Sequence, residues 1–284
     1  MLSEGRGFFE RLDDPIFRSV KVGTCGFYTS QSRHFSSLNA LEINITFYRE
    51  WKPERARLLK EKALKVNPDF TFTAKAFQGF THPPGSLTWR RSHVPREERK
   101  KFSPLTWSDA VLSQNWFFEV VGILRPPVLL FQMPPFFKFT QQNIEKSCMF
   151  FEKYPQIFEE LSGCVPDVVL EVRKWTPEER KDFFEALASC LPSSTSKSSV
   201  NFRIDEAVDP LLFGKPAASG NGVACYFRLH KTLPGYRGSH DEGELRRLRE
   251  YVFSCRPDES KPAFVFFNNQ FAYADALRFI EILK

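Results

Sequence analysis

Val128-Leu129-Leu130-Phe131 and Phe264-Val265-Phe266-Phe267 are apolar at every position. A strand with one face in water alternates apolar and polar residues. An unbroken apolar run instead belongs to a strand covered on both faces, as in a parallel sheet packed under helices. Working outward from these two runs, further β-rich segments lie at 20–24, 41–47, 70–74, 168–172, 200–204 and 223–229, which with 128–131 and 264–267 make eight candidate strands. Between most of them stand amphipathic patterns, at 53–66, 141–154, 177–191, 242–254 and 272–283. Thr176-Pro177-Glu178-Glu179 adds helix-start chemistry: a cap, a proline in the first turn and acids at the positive end of the dipole. The βαβ alternation predicts an α/β fold, an irregular TIM-type (β/α)8 barrel formed as a single domain by residues 21–284 after an N-terminal extension, 1–20. An open doubly wound sheet is the alternative.

Composition agrees with a packed globular chain. Of 284 residues, 42% are hydrophobic and 26% charged, enough apolar material to cover a barrel of roughly 250 residues. Phenylalanine is frequent and recurs at alternating strand positions such as Phe70 and Phe72, which assigns it first to the core. The formal charge of +6 favours anionic partners. Cys25, Cys148, Cys164, Cys190, Cys225 and Cys255 include no CxxC pair and are expected as reduced, mostly buried thiols. No segment has the length and apolarity of a membrane span, and the start of the chain lacks an apolar signal region, so a cytoplasmic protein without a membrane partner is expected. The segments 83–106 and 193–199 are irregular, the second with the composition of a linker. GxGxxG, Walker, HExxH and GxSxG motifs are absent.

Each candidate strand ends in polar residues that its apolar interior does not predict. These are Glu42 and Asn44, then Lys75 with His82 a few residues on, Gln132, Glu171 and Arg173, Asp205, Arg228 and His230, and Asn268-Asn269. A TIM barrel gathers the C-terminal ends of its strands on one face, so Glu42, Lys75, Gln132, Glu171, Arg173, Arg228, His230 and Asn268 are expected to line one cavity. As catalytic groups we assign Glu42, Lys75, His82, Glu171, Asp205 and His230, carboxylates and imidazoles suited to acid–base work or to an optional divalent metal. As ligand-binding groups we assign Asn44, Gln132, Arg173, Arg228, Tyr236, Asn268 and Asn269, with the arginines supplying forks for phosphate or carboxylate. The same acids and cations can equally neutralise one another as buried ion pairs. Arg90, Arg91, Lys100 and Lys101, interleaved with Trp89, Phe102 and Trp107, form a candidate nucleic-acid surface, diluted by Glu97 and Glu98.

These residues resemble a family. Val22-Gly23-Thr24-Cys25-Gly26-Phe27, Leu41-Glu42-Ile43-Asn44-Ile45-Thr46-Phe47-Tyr48, Pro68-Asp69-Phe70-Thr71-Phe72-Thr73-Ala74-Lys75 with Thr81-His82, and Leu130-Phe131-Gln132-Met133-Pro134-Pro135 are similar to the YecE-like family, domain-of-unknown-function family 72. So are Glu171-Val172-Arg173 with Trp175, Phe227-Arg228-Leu229-His230, Tyr236-Arg237-Gly238-Ser239 and Phe266-Phe267-Asn268-Asn269, in order from Lys21 to the C-terminus. The resemblance implies a TIM-barrel-like fold with a pocket and no established reaction. The chain departs from the pattern where only fifteen residues separate Gly26 from Glu42, so the first helix is expected to shrink to a turn. It departs again at Lys174 and Lys231, where the family usually has His and Gly. The leading functional expectation is a hydrolase or lyase acting on a phosphate-containing substrate, nucleic acid included. The alternatives are a non-catalytic module for an anionic ligand or nucleic acid, and a sugar-type isomerase.

Overall fold

A computed structural model of the chain describes residues 16–191, 202–214, 216, 225–231 and 234–284. Its strands are β1 (Val20–Cys25), β2 (Ala40–Ile43), β3 (Thr71–Lys75), β4 (Val128–Gln132), β5 (Asp167–Glu171), β6 (Ile204–Val208), β7 (Cys225–Leu229) and β8 (Ala263–Phe267), and they close in that order into a parallel barrel. The helices are α1 (Ile16–Ser19), α2 (Gln31–Ser37), α3 (Ile45–Tyr48), α4 (Pro53–Val66), α5 (Asp109–Leu112), α6 (Asn115–Leu124), α7 (Gln141–Ser162), α8 (Pro177–Cys190), α9 (Pro210–Phe213), α10 (Glu242–Ser254) and α11 (Ala272–Leu283). The TIM-type barrel read from the apolar runs is the fold, and α4, α10 and α11 occupy the predicted spans. Most of the predicted N-terminal extension and the linker-like 193–199 lie outside the described residues.

Four local expectations are corrected. The crossover after β1 is the two-turn helix α2, started by Ser30, whose hydroxyl accepts from the Arg33 N–H. The run expected as a strand to Phe47 stops at Ile43 and turns into α3, where the Thr46 hydroxyl donates to the Lys75 carbonyl at 2.7 Å. Helix α7 passes through Pro155 and reaches Ser162. A helical proline costs about 3 kcal/mol, but Phe150, Phe151, Tyr154 and Phe158 are fully buried along α7, and each contributes about 1.5–3 kcal/mol. Strand β6, expected at 200–204, runs Ile204-Asp205-Glu206-Ala207-Val208, with Val169 of β5 opposite Asp205. Its two acids hide it from an apolar-run criterion, and Glu206 is accommodated by Arg180 of α8 at 2.6 Å with both side chains buried.

The chain divides into two compact units, the first comprising Met1–Ile43, Leu59–Thr73 and Ala207–Lys284, the second Asn44–Leu58 and Ala74–Glu206. In the first, β1 pairs with β2 and β8, and β7 pairs with β8. Val20, Val22, Phe227, Val265 and Phe267 pack with Leu245 and Leu248 of α10 and Phe279 and Ile280 of α11 in one buried cluster. Gly23 lets β1 lie close against β2, since a Cβ there would meet the Ala40 carbonyl oxygen at 2.2 Å. In the second unit the phenylalanines do core work. Phe80 touches the rings of Trp107, Phe117, Phe118, Phe131 and Phe150, all between 5.3 and 6.4 Å.

The expectation of reduced thiols is also corrected. Cys148 of α7 and Cys190 at the end of α8 are joined as a disulfide with Cα atoms 6.0 Å apart. Forty-two residues separate them in the chain, so only the packing of α7 against α8 brings them together. Cys25 and Cys225 are buried and Cys164 and Cys255 half-buried, all four outside that disulfide.

Candidate functional site

The polar residues at the strand ends form two bonded groups, one in each unit. In the first unit Glu42, fully buried on β2, receives Nε and Nη2 of Arg228 on its two oxygens, both at 2.9 Å. The Tyr226 hydroxyl adds a third bond to Glu42 at 2.8 Å and lies 2.9 Å from the Thr73 hydroxyl. Burial, and behind it the Glu42 charge, raises the Tyr226 phenol well above its usual range, so it remains a donor. Cys25 completes the group, its sulfur 3.6 Å from Arg228 Nη2. The guanidinium edge assigned to a ligand is therefore spent on Glu42. Tyr226 went unnoticed in the sequence because it sits inside β7 rather than at its end.

The second group runs along the ends of β3, β4 and β5. Lys75 Nζ donates to Gln132 Oε1 at 2.6 Å, and Gln132 Nε2 donates to Glu171 Oε1 at 2.8 Å. Arg173 Nε and Nη2 close on that same Glu171 oxygen at 2.8 and 2.7 Å. The Lys75 ammonium also stands 3.6 Å from the Phe47 ring centroid, a cation–π contact that helps hold a buried charge. His82 packs edge-on against Phe47 and shares a hydrogen bond of 2.8 Å between its Nδ1 and the Thr81 hydroxyl. Burial first, then the charges of Lys75 and Arg173, lower the His82 pKa to about 3, so the imidazole is neutral at physiological pH. Asn44 stands at the N-cap position of α3 without a side-chain cap bond, and its buried Oδ1 has no hydrogen-bond partner among the described residues.

Other assigned residues lie elsewhere. Asp205 was placed at a strand's end on the expected span; with β6 beginning at Ile204 it sits at the strand's start, level with Val169. The acid that follows the end of β6 is Asp209, which the sequence reading missed. It accepts the His230 backbone N–H at 2.6 Å and lies 3.6 Å from His230 Nδ1. The His230 ring rests against Tyr236 with centroids 5.0 Å apart. Asn268 accepts from the Tyr28 hydroxyl at 3.3 Å. Asn269 is buried and structural, its Nδ2 tied to the Gly238 carbonyl and to Asp275. Arg90, Arg91, Lys100 and Lys101 are exposed, with Lys101 paired to Glu98. The rings between them are not available to bases: Trp89 and Phe102 are buried, and Trp107 stacks on Phe150.

The donor set does not fit a divalent metal. Among the described residues no three His, Cys, Asp or Glu side chains converge as ligands, and Glu42 and Glu171 direct their oxygens at guanidinium groups. Among the described residues, too, no helix is long and apolar enough to cross a membrane.

The model of a family described as "Protein of unknown function DUF72" matches residues 29–284. The chain belongs to the DUF72 family. No curated protein matches it. Among solved structures it is similar to a DUF72 family protein from Enterococcus faecalis V583, at 18% identity and a TM-score of 0.62 over 93% of this chain and 95% of that one. It is also similar to a D-tagatose 3-epimerase-like protein, at 15% identity and a TM-score of 0.52, covering 93% of this chain and 96% of that one. A xylose isomerase domain protein from Planctomyces limnophilus gives 10% identity, a TM-score of 0.52 and the same coverages. At such identities the likeness is one of fold, and this DUF72 chain shares the barrel with proteins of different names.

Proposed function

We propose that the ends of β3, β4 and β5 bind a small molecule through a phosphate or carboxylate group. The observation that carries this reading is Arg173. Its side chain is one-third exposed, and one edge of its guanidinium takes a single oxygen of Glu171. The outer edge, with Nη1, makes no hydrogen bond among the described residues and is the fork that an incoming anion needs. Glu171 and Gln132 hold that fork in place from behind, so little ordering entropy is lost on binding. The positive field of Lys75 and Arg173, which adds to burial in lowering His82, supplies the attraction. Neutral His82 can offer a hydrogen bond to the same ligand without adding charge.

Binding is favoured over acid–base catalysis by the state of the acids. A general acid or base must reach the substrate's proton, and Oε1 of Glu171 is already taken by Gln132 and both Arg173 nitrogens. The test is calorimetric titration of the full chain with inorganic phosphate and with a simple dicarboxylate. Binding that weakens at least about tenfold in Arg173→Gln and is restored only in part by Arg173→Lys supports the reading. Equal binding by wild type and Arg173→Gln, or no binding by wild type at low salt, refutes it.

A further inference from the structure

The first unit presents a second set of strand-end groups of a different chemical kind. Tyr28 follows β1, His230 and Tyr236 follow β7, and Asn268 follows β8. They are tied into one rim. The Tyr28 hydroxyl bonds Asn268 Oδ1, the Asn268 N–H bonds the Leu229 carbonyl at 2.8 Å, and the Tyr236 carbonyl accepts the Gln270 N–H at 3.0 Å. Tyr28 is 42% exposed, Tyr236 40%, and neighbouring Phe271 47%. Exposed aromatic side chains beside polar strand-end groups mark a binding surface more often than a neutral exterior.

The functional groups presented here are two phenols, an amide and an imidazole, with no carboxylate, ammonium or guanidinium among them. Two charged groups beside them already have partners. Asp209 accepts two backbone N–H groups, from His230 and Leu211, and the Lys231 ammonium bonds both oxygens of Glu244 at 2.9 and 2.6 Å. A neutral polyol needs only donors, acceptors and an apolar face, and the amide, imidazole and phenol rings supply all three. His230 adds a second observation. Its Nδ1 lies 3.6 Å from Asp209, and its Nε2 is buried with no hydrogen-bond partner among the described residues. An orphaned buried polar atom is costly, a cost relieved when a ligand hydroxyl bonds it.

We propose that this rim binds a neutral sugar ring, whose C–H face packs on Tyr28 and Tyr236 while its hydroxyls bond the Asn268 amide and His230 Nε2. The site is independent of the anion-binding reading of Arg173. It is tested by saturation-transfer NMR on the full chain with D-glucose, D-fructose and D-ribose, adenosine and inorganic phosphate serving as comparison probes. At least one sugar should receive saturation on its C–H protons, with a dissociation constant near about 1 mM. Tyr28→Ala and Asn268→Ala should weaken it at least about tenfold, Tyr28→Phe by only a few fold, and Arg173→Gln not at all. Tyr28→Phe keeps the ring and serves as the folded control should Tyr28→Ala be unstable. Absence of transfer to every sugar, preference for adenosine over all of them, or sugar binding unaltered by Tyr28→Ala and Asn268→Ala overturns the proposal.

Discussion

Arg228 and Glu42 form a buried two-point ion pair, side chains 3% and 0% exposed, in which each carboxylate oxygen receives one guanidinium nitrogen at 2.9 Å. The pair is a mutual neutralisation inside the first unit. Its removal from one side leaves the other charge buried without a countercharge, whereas an apolar pair of similar volume avoids the desolvation penalty altogether. Arg228→Met or Glu42→Leu alone should therefore lower stability by about 3–5 kcal/mol, and the double variant Glu42→Leu/Arg228→Met should recover most of it. Urea unfolding of the three variants checks this. A double variant as unstable as the sum of the singles would mean that the pair contributes more than its own neutralisation.

Stability should decline in acid through two histidines. Burial lowers His34 to about 4, against which its bond to the Ala40 carbonyl works only partly, and His82 is lowered to about 3. Both folded values lie below the unfolded 6.5, so the unfolded chain binds the extra protons, and the stability that is complete above pH 6.5 is lost as pH falls toward 4 and then 3. Melting temperature followed from pH 7.5 to 4 should fall, and His34→Gln should flatten the upper part of that fall.

Asp167 gives the opposite sign. Burial raises it to about 6 despite the Arg203 N–H bonded to its Oδ1 at 2.9 Å. The folded value exceeds the unfolded 3.8, so its contribution is complete below pH 3.8 and is lost as pH rises through 6. Asp167→Asn keeps an acceptor for Arg203 and removes the buried charge. The variant should melt higher than wild type at pH 8 and no higher at pH 4, a comparison that differential scanning calorimetry makes directly.

The Cys148–Cys190 link closes a loop of 42 residues, for which the chain-entropy model gives roughly 3–5 kcal/mol of stabilisation. Denaturant midpoints with and without a thiol reductant should differ accordingly in wild type, and Cys148→Ser/Cys190→Ser should match the reduced protein and ignore the reductant. A reductant effect of equal size in the double variant would assign the stabilisation to other thiols.

The barrel was legible because parallel strands under helices must be apolar on both faces, and 128–131 and 264–267 display that requirement in four consecutive residues each. A helix start was legible where its chemistry is local: Thr176 makes a capping box with Glu179, three residues on. The strand ends likewise named Glu42, Lys75, Gln132, Glu171, Arg173 and Arg228, since an ionisable group after an apolar run stands out in any one-dimensional reading.

Which of those groups answer one another was decided only in three dimensions. Glu42 meets Arg228 across 186 residues, Tyr226 hides within its own strand yet reaches Glu42 across 184, and Cys148 finds Cys190 through the packing of two helices. Asp205 and Glu206 concealed β6, because a strand may carry charge once a partner such as Arg180 is packed against it. Trp89 and Trp107 stand among cations in the sequence, yet in the fold Trp89 is buried and Trp107 stacks on Phe150. Periodicity and capping act between near neighbours and are written in the chain itself. Neutralisation, burial and long-range pairing depend on distances through space, and those exist only once the barrel has closed.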